Sequence, residues 1–445
     1  MSDIVIHPRY GRGVVKQTRH KDFKLLVAFD DGIPRWVRRD ELAEKGILSS
    51  TSYVTTVTPN TLPAFSDERF KSRRMIEAFR LGIVPYDCIE EFTFGREKET
   101  DILMDWLNNS EESTLLVIGE YGTGKSHLLH YTYGRALQSG FAVAYIEMDP
   151  NESPFYKPKQ VYSHFVRTLR FRFVQDNQLK GFRDFLKAAI DRGSFENHIY
   201  FRHLIGKMSD ENLWDWIEAS ESSIRPWDTD FRNLNYFSLP GLYDYSTAAN
   251  IYCYLLSALG WAAKEILGLK GLLLIFDEAE VVNRVFSYQI DKGYNFMNAL
   301  ISVANNDSQL LRKPNGISGI GFDYCRTGEG PNIPFIYKQP SGLKLLFAFT
   351  NLSPLYRLIG FQTIPRIDLE PLTDAAFKEV FEHICLIYDS AYNFLEEDVT
   401  IDYIYRVVRF QSGRSGRTRS LVKGAVEALD LLRLSHGDTS DKVIK

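Results

Sequence analysis

Apolar positions along the 445-residue chain change their spacing twice, and each change marks a different kind of structure. Over residues 3–43 they alternate or cluster in short runs, in IVIHPRYGRGVV, KLLVAFDDG and IPRWVRRDEL, with Gly11, Gly13 and the Asp30-Asp31-Gly32 turn between them. Short runs broken by turn residues predict strands, here a small, strongly bent β-barrel over residues 1–48. The polar stretch SSTSYVTTVTPNTLP, from Ser49 to Pro63, predicts a linker over 49–66. From about Asp67 the spacing turns helical in ERFKSRRMIEAFRLG and REKETDILMDWLNN, and four continuous apolar runs follow: STLLVIG, FAVAYIEMDP, GLLLIFDEAE and LKLLFAFT. Runs without alternation are expected of strands covered on both faces. The fold class predicted for residues 67–375 is therefore α/β with a central parallel sheet, followed by a mostly helical tail over 376–445. Two stretches exceed such a core: a mainly helical one at about 165–240, carrying Trp214, Trp216 and Trp227, and a Gly- and Pro-rich loop or hairpin at about 312–342.

Composition narrows the class. Apolar residues make up 44% and charged residues 25%, as in soluble globular proteins, so neither a disordered nor a fibrous chain is expected. A formal charge of -4 excludes a uniformly basic coat, so any nucleic-acid contact has to come from a local patch. Cys88, Cys253, Cys325 and Cys385 are far apart and have no His cluster beside them, which points to reduced thiols rather than a zinc site or a disulfide framework. The first residues lack the apolar core of a secretory signal, and no apolar run reaches the ~18 residues of a membrane span, so a cytoplasmic protein without membrane contact is expected.

One stretch carries recognisable chemistry. Gly119-Glu120-Tyr121-Gly122-Thr123-Gly124-Lys125-Ser126, followed by His127, matches G-x-x-x-x-G-K-[ST] and lies between an apolar strand and a helix, the context a phosphate-binding loop needs. Glycines let backbone N–H groups turn inward around phosphates, and the helix start points its positive end at them. Lys125 is expected to reach the β- and γ-phosphates of ATP, and Ser126 to ligate Mg2+. The run Leu272-Leu273-Leu274-Ile275-Phe276-Asp277-Glu278 delivers two adjacent carboxylates at a strand end. Asp277 is the candidate for holding magnesium through its water shell, and Glu278 for orienting and deprotonating an attacking water. Alone, that pair would read as an acidic helix start; beside the loop it reads as the second half of a hydrolytic site.

The order of these pieces resembles the AAA+ P-loop ATPases, especially the origin-recognition branch. That resemblance implies an AAA+ core with a helical lid over 376–445, and further roles. Phe94-Gly95-Arg96-Glu97 is similar to the family's segment beside the adenine, with Val84 and Pro85 as walls for the base. Asn351, after Thr350 at the end of LKLLFAFT, takes the polar sensor position, although a helix cap or turn residue is an equal alternative. Arg366, before the I-x-L-x-P-L segment, is the first choice for an arginine reaching a neighbouring subunit's γ-phosphate, and Arg357 the second; a surface or interdomain ion pair is the alternative for either. Such an arginine implies a homo-oligomer in some nucleotide state. Gly416-Arg417-Thr418-Arg419 resembles the lid's sensor segment with Arg419 in the sensor place, and departs from it in having Arg417 where an aspartate is usual.

The combination IVPYDCIEEFTFGRE, VIGEYGTGKSHLLH, YIEMDPNESPFYKPKQVY, LGLKGLLLIFDEAE and YNFMNALI resembles the BrxD-like ATP-binding proteins of BREX phage-defence systems over about residues 70–436. It implies an ATPase subunit of an antiviral system working with other defence proteins on DNA. HPRYGRGVV, LLVAFDDG and WVRRDEL look like the Tudor-like domain at the end of UvrD-type helicases and, more distantly, the CarD polymerase-binding barrel. Arg9, Arg12, Lys16, Arg19, Arg35, Arg38 and Arg39, with Tyr10 and Trp36, are a candidate basic aromatic patch for DNA or protein, the alternative being a solvated face with Trp36 in the core. Two functions remain open: an ATPase that remodels or loads a DNA-associated complex, and a nucleotide-gated assembly switch. A processive helicase fits less well, because no second motor domain is recognisable.

Overall fold

The computed structural model describes residues 4–7, 11–19, 24–29, 34–38, 68–82, 89–173, 176–220, 239–244, 248–312, 333–350, 355–394, 398–413 and 418–435. The chain divides into two compact units, Met1–Ala64 and Phe65–Lys445. In the first, β1 (Ile4–His7), β2 (Gly11–Arg19), β3 (Lys24–Phe29) and β4 (Pro34–Arg38) form an antiparallel meander in that order. The register between β2 and β3 shifts between Val15 and Gln17, a bulge of the kind that bends a strand. Where a closed barrel was expected, the described strands form a four-stranded sheet in which β4 does not pair with β1, and the side chains of the expected basic patch lie outside the described residues.

The second unit runs α1 (Glu68–Arg80), α2 (Glu97–Asn108), β5 (Thr114–Ile118), α3 (Lys125–Gln138), β6 (Ala142–Glu147), α4 (Pro158–Thr168), β7 (Phe171–Phe173), β8 (Asp176–Lys180), α5 (Phe182–Asp191), α6 (Glu211–Ile217) and α7 (Ala249–Trp261). It continues with β9 (Leu272–Asp277), α8 (Ser287–Ala304), β10 (Leu343–Phe349), β11 (Arg366–Asp368), α9 (Asp374–Tyr392), α10 (Asp398–Gly413) and α11 (Thr418–Ser435). A parallel sheet orders its strands β11-β5-β10-β9-β6. The four expected strands are present; β11, only three residues long, was not anticipated. The central strands β5, β9 and β10 are buried along their whole length, which accounts for their unbroken apolar runs. The edge strand β11 alternates, burying Ile367 between exposed Arg366 and Asp368.

Successive side chains of each strand feed opposite cores. Leu274, Phe276 and Phe347 face α4, α7 and α8, with Phe276 stacked on Phe347 at 4.5 Å between centroids. Leu273, Ile275 and Leu346 face α2 and α3, meeting Leu103, Trp106 and Leu128. Lys344, at the start of β10, is buried, and its Nζ donates to the carbonyls of Trp106, Asn109 and Glu112 at 2.7 to 2.8 Å. Those bonds tie β10 to the end of α2, and burial pushes the ammonium down to about 8.

The described part of the stretch at 165–240 packs into the core of the sheet. The β7–β8 hairpin, α5 and α6 contribute Phe171, Phe182, Phe185, Trp214 and Trp216 to the same core as the sheet, while Trp227 lies outside the described residues. Of the expected 312–342 insertion, 313–332 lie outside them as well. A further helical cluster packs α1 with α9, α10 and α11 through Ile76, Phe79, Phe381, Tyr388 and Val426. Arg80 donates to both carboxylate oxygens of Asp430 at 2.9 and 2.8 Å, and the Tyr388 hydroxyl donates to Asp430 at 2.7 Å. A boundary drawn at residue 376 therefore leaves out α1, which belongs by packing to the C-terminal helices.

Two residues of the core give measurable consequences. Gly260 of α7 faces the Ser341-Gly342 turn, and a Cβ there drives into the Ser341 carbonyl, so Gly260→Ala is expected to destabilise by about 2 kcal/mol or more in denaturant melts. His198 is fully buried; its Nδ1 accepts the N–H groups of Tyr200 and Phe201 at 3.1 and 2.9 Å, and its ring lies between Phe201 and Tyr254 at 4.3 and 4.6 Å. Burial pushes its pKa well below the usual 6.5, so the unfolded chain binds a proton below that pH that the folded chain refuses. Stability from this group is complete above pH 6.5 and lost as pH falls below it. His198→Phe is expected to lower the melting point at pH 8 but to reduce the further drop between pH 8 and pH 5; an unchanged drop refutes the assignment.

Candidate functional site

The carboxyl ends of β5 and β9 lie on either side of β10, the kind of crevice in which open parallel sheets place ligands. β5 leads into the loop 119–124 and then α3. Gly122 and Gly124 have φ of +89° and +102°, the left-handed region that lets successive N–H groups face inward. A Cβ on Gly119 would stand 2.7 Å from Thr123 Oγ1 and 2.8 Å from the Leu369 carbonyl, so only glycine fits beneath the loop. Thr123 Oγ1 donates to the Glu120 carbonyl at 2.9 Å, and Lys125 Nζ donates to the carbonyls of Gly119 and Glu120 at 2.8 and 3.2 Å. Ser126, in the first turn of α3, is exposed, as is Tyr121 at the loop's tip.

Opposite, β9 ends at Asp277, which is buried. Its Oδ2 accepts the Tyr145 hydroxyl at 2.8 Å and its Oδ1 accepts the Glu278 N–H at 2.9 Å. Tyr145, on the neighbouring β6, stacks at 4.5 Å on His130 of α3. Burial pushes His130 down to about 4, so the ring is neutral near pH 7. Glu278 turns the chain in the left-handed region, φ +52°, and its half-buried carboxyl is pushed up by burial and by the charges of Glu280, Asp277 and Glu147 against the pull of Arg284. Lys125 is pushed down by burial and pulled back by Glu280, Asp277, Glu278 and Glu120. The expected lysine and both expected carboxylates therefore share one electrostatic environment.

Arg96 is buried, and its guanidinium is spent on the protein. Nη2 donates to the carbonyls of Thr123 and Glu370 at 2.7 and 2.8 Å, and Nη1 to Glu99 at 3.1 Å. It pins the back of the phosphate loop to the stretch that leads from β11 into α9. Gly95, at φ +60°, lets the chain pass α9, where a Cβ would lie 2.5 Å from that of Ala376. His127 Nε2 meets Thr93 Oγ1 at 3.0 Å, and burial pushes it down to about 4. Arg366 is 47% exposed and pairs with Asp368 at 3.3 Å. Arg357 pairs with Asp291 and lies 4.5 Å over the Tyr294 ring, and Arg419 donates to the Leu81 carbonyl at 3.2 Å, against α1. Val84, Pro85 and Asn351 lie outside the described residues, as does Arg417.

Tyr145, His130, Glu280 and Thr350 were not singled out as site residues from sequence, and the signals were faint: a hydroxyl within an apolar strand, a histidine one turn into α3, a third acid in Asp277-Glu278-Ala279-Glu280. Among the described residues no group of three or more His, Cys, Asp or Glu side chains is arranged to hold a metal alone. The donor set suits magnesium nonetheless, since that ion takes few protein ligands and completes its shell with water and phosphate oxygens.

Residues 68–187, little more than a quarter of the chain, match the family model described as BREX system ATP-binding protein BrxC/D. The match runs from α1 through the phosphate loop into α5, ending within that helix and short of β9, so the loop half of the site lies within a segment similar to ATP-binding components of a phage-defence system. Among solved structures, a Walker-type ATPase of Pyrococcus abyssi is 14% identical, with 80% of this chain and 77% of that chain covered and a TM-score of 0.29, a likeness too slight to carry weight. No curated protein matches.

The Tyr145 contact has a direct test. Tyr145→Phe leaves Asp277 Oδ2 without its donor, and is expected to weaken nucleotide affinity about 10-fold with magnesium while leaving affinity in EDTA within about threefold. Equal effects in both conditions show that Tyr145 does not act through Asp277.

Proposed function

We propose that this chain is a magnesium-dependent ATPase subunit of a BREX-type phage-defence system, using ATP binding and hydrolysis to remodel or load a DNA-associated complex. The observation that supports the reading is that Lys125, at the start of α3, lies within the electrostatic reach of Asp277 and Glu278 at the end of β9. The match of residues 68–187 supports the BREX assignment. The N–H groups of the loop and Lys125 bind and orient the triphosphate, and Ser126 and Asp277 hold magnesium. Bound there, the ion would neutralise charge on the β- and γ-phosphate oxygens. Glu278 orients a water and accepts its proton as the oxygen bonds to the γ-phosphorus; the bond to the β–γ bridging oxygen breaks, giving ADP and inorganic phosphate.

Partner roles belong to the same proposal. Arg366, at the exposed edge of the sheet, is the residue offered to a neighbouring copy in an AAA+ type oligomer, and Arg357 is less available because Asp291 holds it. Asn351 is the polar sensor and Arg419 the sensor of the helical lid. Val84, Pro85, Gly95 and Arg96 are assigned to the base, Arg96 through the loop it pins. The N-terminal unit docks DNA or another defence protein. Action in the cytoplasm belongs to the same proposal; no helix among the described residues is long and apolar enough to cross a membrane.

A second reading, a nucleotide-gated assembly switch, is favoured by Arg96. Its link between Thr123 and Glu370 couples the loop to the C-terminal helices, so nucleotide binding alone can reposition them. Glu278→Gln is expected to bind ATP with near-parental affinity and lose at least about 100-fold in turnover, while Lys125→Ala loses binding. Hydrolysis is followed with single-stranded, double-stranded and no DNA, and phage protection in cells carrying the system. If both variants lose protection, hydrolysis is required; protection retained by Glu278→Gln alone identifies the switch. Parental turnover in Glu278→Gln removes its role as base.

A further inference from the structure

Glu278 adopts a left-handed conformation, φ +52°, that is unfavourable for a non-glycine residue and persists only where its surroundings enforce it. Immediately after it the chain makes one tight turn, Ala279–Asn283, with Val281 N–H donating back to the Glu278 carbonyl at 3.0 Å. Glu280 lies within that turn and is only 9% exposed. Its Oε1 accepts the hydroxyl of Thr350, the residue following β10, and its buried Oε2 has no hydrogen-bond partner among the described residues. An unpaired buried carboxylate oxygen costs free energy that an apolar side chain at the same place would not. Such a departure from good packing is expected at functional sites.

We propose that Glu280 is a positioning residue for hydrolysis, fixing with Thr350 the turn that presents Glu278 to the attacking water. The inference rests on the ATPase reading above. The bond joins the Glu278 turn to the end of the strand lying between Gly119 and Asp277, so β10 supplies the fixed point from which the base is aimed. Arg284 supports the same arrangement from outside, at 3.5 Å from Glu280 and 3.8 Å from Glu278; being 56% exposed, it contributes less than the part-buried Glu280–Thr350 bond. The other charges facing the turn are Asp277 on the same strand end, Glu147 at the end of β6 and Lys125 of α3.

The test uses the full chain with four variants, measuring steady-state ATP turnover and the binding of a fluorescent ATP analogue. Thr350→Val, close to isosteric, and Glu280→Ala are expected to lower kcat about 10- to 100-fold, with KM and analogue affinity within about threefold of the parent. Thr350→Ser keeps the hydroxyl and restores kcat to within about threefold, and Glu280→Gln, still able to accept that hydroxyl, falls between. If Glu280→Ala does not fold, the Thr350 pair carries the test alone. Parental kcat in Thr350→Val, while Glu278→Gln is inactive, overturns this assignment and leaves the ATPase reading standing. A joint fall of kcat and affinity that Thr350→Ser does not rescue also overturns it, as a general structural effect. A parent without turnover under any condition overturns both.

Discussion

The register of β10 against its two neighbours is the constraint on which the rest of the second unit depends. Leu345 lies beside both Thr114 of β5 and Leu274 of β9, and Phe347 beside both Leu116 and Phe276. The Phe349 carbonyl accepts the Gly119 N–H at 3.1 Å, so the strand hands its alignment directly to the phosphate loop. A slip of one residue would move the strand by about 3.3 Å and send its side chains to the wrong core. Lys344 opposes such a slip from the other end, because its three carbonyl acceptors lie around the end of α2 and are reached from one register only. The separation between the loop and the two acids of β9 is therefore set by the packing of apolar side chains, far more than by any attraction within the site.

How much of this could be read beforehand follows the range of the interactions. β5, β6, β9 and β10 were legible because burial on both faces leaves an unbroken apolar run, and the loop because its glycines are required by local backbone geometry. β11 was not, since three residues with one buried side chain carry too little pattern. The membership of α1 in the C-terminal cluster was hidden for a different reason. Its amphipathic face shows that it packs, but its partners are more than 300 residues away in α9 and α11. Arg96 illustrates the limit most clearly. Its place before α2 was recognised, yet two of its three partners are backbone carbonyls, and carbonyls leave no mark in a sequence.

The same limit governed the carboxylates. Asp277 and Glu278 stand out as adjacent acids at the end of an apolar run, whereas the tyrosine that holds one and the threonine that steadies the turn of the other come from different strands. A parallel sheet brings them together because every strand ends on the same side. Side chains that look incidental in sequence thus become the immediate surroundings of the two acids.

Arg96 also has a mechanical meaning. A guanidinium gripping two carbonyls, one in the loop and one in the strap leading to α9, behaves as a short, stiff strut rather than a hinge. Because Leu369, the residue before Glu370, also donates its N–H to the Ile118 carbonyl of β5, the strut and the sheet edge together hold the strap that leads to the C-terminal helices, and the strut's other end is the Thr123 peptide, two residues before Lys125.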